Sequence, residues 1–158
     1  MLIPITEIEL SKLRLQANRS TRRRMNYNFH KQYHDPIQRM LNAMNCGTYL
    51  QPHRHKNPDK REAFILLTGR VAVVEFNDIG QVLDHIVLDH RTGNYGTEIP
   101  VGTWHSLIAL ENGSVVYEVK DGPYTPINDK NFAPWAPKEG EKTCAQYLED
   151  IIHQLNLK

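Results

Sequence analysis

Apolar side chains recur along this chain with two different periods. In the first part the spacing is helical: Thr6 and Glu9 are spaced as a capping box, and Ile8, Leu10, Leu13 and Ala17 supply the apolar positions behind Thr6. A second helix is predicted next. Asp35 can cap its first turn, Pro36 suits the first helical position, and Ile37, Met40, Leu41 and Met44 fall at i, i+3, i+4 and i+7, with Gly47 as the exit. From Gly47 the period shortens to two and β-branched residues become dense, which predicts strands over 62–67, 71–76, 82–88, 104–110 and 114–119. Turn residues separate them at 68–69, 77–80, 91–96, 101–102 and 112–113. Short strands joined by tight turns, without helices between them, predict an antiparallel sandwich or barrel rather than a parallel sheet. Gly122, Pro123, Pro126, Pro134 and Pro137 then break regular structure until about Gly140. Cys144, Leu148, Ile151, Ile152 and Leu155 predict a C-terminal helix, with Thr143 and Gln146 as a second capping-box pair. That helix is expected on the outside of the β unit or on a second subunit.

Composition narrows the classes. With 158 residues, 40% of them hydrophobic, the chain is expected to build one core and one domain: a helical N-terminal extension over 1–46, a β-barrel over 47–120, and a Pro-rich segment and helix over 121–158. A net charge of +1 argues against a general nucleic-acid binder, and no apolar run approaches the ~20 residues of a spanning helix. Glu7 and Glu9 near the start, with no basic and apolar leader, point to the cytoplasm. Cys46 and Cys144, without metal-type spacing, are expected as free thiols. Charge is uneven, however. Residues 12–39 carry Lys12, Arg14, Arg19, Arg22, Arg23, Arg24, Lys31 and Arg39 against Asp35 alone. Such a run is either a solvated face or an anion clamp over a barrel mouth, since the guanidinium fork suits carboxylate and phosphate.

Eight histidines include two that carry a spacing signal. The chain reads Gly47, five residues, His53, Arg54, His55, six residues, Glu62, six residues, Gly69, and later Pro100, Val101, Gly102, Thr103, Trp104, His105. On a strand, His53 and His55 share a face. If 56–61 forms the turn of a hairpin, Glu62 converges on them, and His105 adds a third imidazole. An inward carboxylate among apolar strands is costly unless paired or coordinated. Three imidazoles and one carboxylate suit one divalent transition ion: Zn, Fe, Ni, Mn or Co. Metal uptake by neutral imidazoles predicts release as pH falls well below the ~6.5 reference for His. Among the aromatic residues, Tyr124 and Trp135 are expected as neighbours of the site.

These two blocks resemble the paired motifs of the cupin superfamily. The gap of six before Glu62 is longer than the three or four of the general motif, and Ala109 stands where the second motif often has Asn. Narrower phrases, 35–43 (DPIQRMLNA), 47–55 (GTYLQPHRH), 118–124 (EVKDGPY) and 129–137 (DKNFAPWAP), resemble the WbuC group of cupin metalloproteins found among polysaccharide and O-antigen gene clusters. The resemblance implies an antiparallel cupin-type β-barrel (jelly roll) with helical additions at both ends and a metal on His53, His55, Glu62 and His105. It also makes Arg22, Arg24, Asn28, His30 and Arg39 members of a recurring N-terminal phrase, which with Tyr124 forms the expected substrate-binding set. The leading expectation is a metal-dependent enzyme acting on a small anionic molecule, such as a sugar or sugar nucleotide of surface-polysaccharide synthesis. A noncatalytic metal-dependent binding or sensing module is one alternative. Another is a metal-free sugar-nucleotide isomerase or epimerase with His53 or His105 as base and a Tyr as acid. A homodimer is expected, with neither nucleic acid nor membrane as partner.

Overall fold

Two five-stranded antiparallel sheets face each other, and a helix covers the outer face of each. The computed structural model describes residues 2–125 and 130–157; Pro126 and the start of the 129–137 phrase lie outside the described residues. The chain runs α1 (Glu7–Arg19), β1 (Arg24–Asn28), β2 (Ile37–Met44), β3 (His53–Arg54), β4 (Glu62–Thr68), β5 (Val71–Phe76), β6 (Val82–Leu88), β7 (Gly96–Ile99), β8 (Trp104–Ala109), β9 (Ser114–Asp121), β10 (Asn131–Phe132) and α2 (Cys144–Gln154). One sheet has the order β1-β2-β9-β4-β7 and the other β10-β3-β8-β5-β6. This is the jelly-roll barrel of cupin type, with helical additions at both ends.

Side-chain alternation builds the layers. Between the sheets lie Met44, Phe64, Leu66, Val71, Val73, Leu88, Ile99, Leu107, Ala109 and Val116. The outer faces of β5 and β8 present Ala72, Val74, Phe76, Trp104 and Ile108 to Cys144, Leu148 and Ile151 of α2. On the other side, Leu10, Leu13 and Ala17 of α1 pack on Leu41, Ala43 and Val115. The β4–β5 turn depends on Gly69, whose φ is +82° and whose absent Cβ would lie 2.3 Å from Ser114 Oγ.

The helix expected from Ile37 to Met44 is instead strand β2, paired with β9 from Ile37↔Asp121 to Met44↔Ser114. Its spacing misleads because both faces are covered. Leu41 and Ala43 pack under α1 while Gln38, Met40, Asn42 and Met44 turn to the interior, so the period of two is blurred. The N-terminal 46 residues are therefore helical only over α1, and the barrel begins at β1 rather than at Gly47. The breaker-rich segment also contributes the short strand β10, paired with β3. Neither capping box forms as expected: the Thr6 hydroxyl bonds the Glu9 carboxylate rather than a backbone amide, and Thr143 makes no side-chain cap.

The two faces of β2 predict different sensitivities. Leu41→Ala, under α1, should cost about 2–4 kcal/mol in urea unfolding, and Met40→Ala, on the interior face, less than half as much. Equal losses would contradict the strand assignment.

Candidate metal centre

His53, His55, Glu62 and His105 are all buried, and each offers one donor atom within 4.8 Å of the others. The two sheets supply opposite halves of the cluster. His53 on β3 and His105 on β8 are direct cross-strand partners, with ring centroids 4.5 Å apart, and His55 follows two residues after His53. Glu62 comes from β4 of the facing sheet. β4 pairs with β7 and β9 and not with β3, so residues 56–61 form a crossover between sheets rather than the expected hairpin turn. The carboxylate reaches the imidazoles across the barrel interior.

Hydrogen bonds set which ring nitrogens point at the cluster centre. His53 Nδ1 lies 3.1 Å from the Gln51 carbonyl oxygen and His105 Nδ1 lies 3.0 Å from that of Thr103. A carbonyl oxygen only accepts, so each Nδ1 donates and each Nε2 keeps its lone pair. Glu62 Oε2 then lies 2.9 Å from His105 Nε2 and 3.3 Å from His55 Nε2. The contact between Glu62 Oε2 and His105 Nε2 lacks hydrogen-bond alignment. With neutral rings, two acceptors meet at that separation in a buried site and repel unless a proton or a metal cation lies between them. Donor atoms about 2.1 Å from one ion sit about 3.0–3.4 Å apart at octahedral or tetrahedral angles, so these spacings fit a metal.

Ionisation agrees with that fit. Burial, more than any other cause, pushes the His53 imidazole well below its ordinary value, leaving it neutral as a ligand must be. Burial alone would raise the Glu62 carboxyl, but the imidazoles of His105 and His55 hold it well below the usual carboxylate range. Glu118 on β9 goes the other way: burial first, then the Glu62 charge, push it up to about 8. It hydrogen bonds to Glu62 and accepts from Asn42 Nδ2 at 2.6 Å.

His53 and Glu62 form part of the wall of a cavity of about 580 Å³, whereas His105 borders a smaller one of about 80 Å³. Of the expected substrate-binding residues, Arg22, Arg24, Asn28, His30 and Tyr124 line the large cavity. Arg39 does not. It lies on the face of β2 opposite Gln38 and Met40, near Asp35 at 3.9 Å, because alternation along a strand sends neighbours to opposite sides. Trp135 is likewise away from the site, packed against Phe76 and Trp104 in the outer core. The cavity is also lined by Gln38, Glu118, Lys120 and Lys130, none of which belongs to the expected set. Alternation along β9 is the signal for two of them: once Val116 points inward, Glu118 and Lys120 follow.

Comparison with known proteins places this architecture. The family described as "Domain of unknown function (DUF6016)" matches residues 5–88, more than half of the chain, and the chain belongs to that family. No curated protein matches its sequence. Among solved structures, it is similar to the capsular polysaccharide assembling protein CapF from Staphylococcus aureus, with a TM-score of 0.57 and 20% identity over 68% of this chain and 28% of that one. The chain thus spans under a third of CapF. It is also similar to dTDP-4-dehydrorhamnose 3,5-epimerase from Sulfolobus tokodaii, with a TM-score of 0.51 and 20% identity over 62% of this chain and 58% of that one. A third likeness is protein SO0799 from Shewanella oneidensis, with a TM-score of 0.51 and 9% identity over 68% and 72%. At these identities the likeness is one of fold. No helix of the described residues is long and apolar enough to cross a membrane.

The raised Glu118 carboxyl gives a pH test on chelator-treated protein. The folded state holds this proton up to about pH 8, whereas an unfolded Glu releases it near its ordinary value of 4.5. Wild type should therefore lose stability relative to Glu118→Gln as pH rises between these values. Chemical denaturation at several pH values checks this, and a pH-independent difference contradicts it.

Proposed function

We propose that this member of the DUF6016 family is a metal-binding cupin of WbuC type, in which His53, His55, Glu62 and His105 hold one divalent transition ion beside a pocket for a small anionic molecule. One observation carries the reading: three imidazoles and a carboxylate converge in the interior, and two of them face a cavity large enough for a sugar-sized ligand. Bound there, Zn, Fe, Ni, Mn or Co would act as a Lewis acid toward a ligand oxygen. The chain's own residues set what that ligand is. Arg22, Arg24, Lys120 and Lys130 outnumber Glu62, Glu118 and Glu139 on the cavity wall, and Glu118 retains its proton up to about pH 8, so an anion is the complementary charge. His30 and Tyr124 line the same wall and can hydrogen bond or stack on a sugar ring.

A sugar or sugar nucleotide of surface-polysaccharide synthesis is the substrate class we favour. The WbuC-like phrases support it, as does the fold shared with CapF, a protein named for capsular polysaccharide assembly. The reading takes the whole chain as one cytoplasmic cupin unit that pairs as a homodimer, with neither nucleic acid nor membrane as partner. Enzymatic turnover is the leading form of this function. A noncatalytic sensing module built on the same site is the second form, and it is the conclusion if metal-loaded protein binds nucleotide sugars and transforms none. A metal-free isomerase needs one imidazole as base, and the convergence of four donor groups favours coordination instead.

Elemental analysis of protein purified without chelator should find about one transition ion per chain, and His53→Ala or His105→Ala should each lower occupancy at least tenfold at limiting metal. Full occupancy in both variants, or none in wild type after metal loading, overturns the reading. Chelation should also lower the melting temperature of wild type and leave that of His105→Ala unchanged, since an ion bound only by the folded state stabilises it by mass action.

A further inference from the structure

The cavity mouth already holds a carboxylate, and it belongs to the chain itself. Arg22 donates from Nε to Glu139 Oε1 at 2.7 Å and from Nη2 to Oε2 at 3.1 Å. Arg24 donates from Nη2 to the same two oxygens at 2.7 and 2.8 Å. Two guanidinium groups thus converge on one oxyanion brought from more than a hundred residues away. The pair is held independently of its guest. Arg24 is mostly buried and donates from Nη1 to the Tyr49 carbonyl at 2.9 Å, and the Thr48 hydroxyl donates to the Arg22 carbonyl at 2.6 Å. Glu139 follows Pro137, whose carbonyl accepts the Tyr49 hydroxyl at 2.7 Å, so its position is set by the same residue that orients Arg24. All three side chains line the cavity that His53 and Glu62 also line, Arg22 being exposed and the histidine deeply buried.

We propose that Arg22 and Arg24 form an oxyanion subsite at the mouth of this cavity, which Glu139 occupies until the phosphate or carboxylate group of an entering ligand displaces it. The planar forks fit either group, and both arginines keep donors suited to two parallel bonds. Displacement is inexpensive because Glu139 and Arg22 are partly in water, where ion pairs contribute little, while Arg24 stays oriented by backbone oxygen. Glu139 acts as a selectivity filter: a neutral ligand leaves the latch closed, whereas an oxyanion replaces it at little net cost. The inference deepens the anionic-ligand part of the function proposed above and does not depend on the metal.

Titration calorimetry with inorganic phosphate and with succinate, on both chelator-treated and metal-loaded protein, tests it. Glu139→Gln removes the competing charge and keeps the side-chain volume, so it should tighten binding of at least one probe about fivefold. Arg24→Gln should weaken that binding at least tenfold, also in the Glu139→Gln background. Phosphate responding more than succinate identifies a phosphoryl group as the natural guest, and the reverse identifies a carboxylate; either supports the subsite. Unchanged or weaker binding of both probes in Glu139→Gln, with melting temperature and metal content as in wild type, overturns it. If Arg24→Gln fails to fold, Arg22→Gln serves in its place, and wild-type affinity in that variant overturns the inference as well. Protein that takes up no metal yet shows the Glu139 effect keeps this inference and removes the metal reading. Protein that takes up metal and shows no Glu139 effect does the opposite.

Discussion

A carboxylate projecting from one β-sheet into a cluster of imidazoles on the other is the constraint around which this structure is arranged. Glu62 is 3% exposed and held in its charged form, a state that costs several kcal/mol in a protein interior unless positive charge compensates it. His53 is neutral, so its compensation must come from elsewhere. The acceptor-to-acceptor contact between Glu62 and His105 makes a cation the natural closure of the site. Such an ion would also join the sheets at a point where no backbone ladder does, since β4 pairs with neither β3 nor β8.

The surrounding fold serves that arrangement. Covering by α2 lets β5 and β8 be buried on both sides, which keeps the strands bearing His53 and His105 in fixed register, and α1 covers β2 and β9 of the facing sheet. With both outer faces sealed, polar side chains collect in the interior along β2 and β9, where Gln38, Asn42, Glu118 and Lys120 form one continuous wall beside the imidazoles. Glu118 keeps its proton next to Glu62 and so avoids placing a second negative charge in the same low-dielectric space.

Much of this was legible in the sequence, and the failures share a cause. The spacing of His53, His55, Glu62 and His105 points to four residues that do converge in the interior, because alternation along a strand is local. Strands β4, β5, β6, β8 and β9 were readable for the same reason, and β5 and β6 have the predicted ends. Strand β2 gives no clear strand signal because burial on both faces erases its period, and Arg39, expected in the substrate-binding set, lies on the face of β2 that alternation turns away from the cavity. The route of the chain between His55 and Glu62 was also beyond local reasoning: a hairpin and a crossover between sheets both deliver an inward carboxylate. Glu139 gave no signal at all, because its role arises only where a distant segment meets Arg22 and Arg24.

The central claim concerns the atoms around one ion, and X-ray absorption at the metal edge of the purified protein addresses it most directly. The account predicts a first shell of nitrogen and oxygen at about 2.0–2.2 Å, with multiple scattering from three imidazoles that falls to two in His55→Ala. A sulfur-containing shell, or a spectrum with fewer than two imidazoles in wild type, would contradict it.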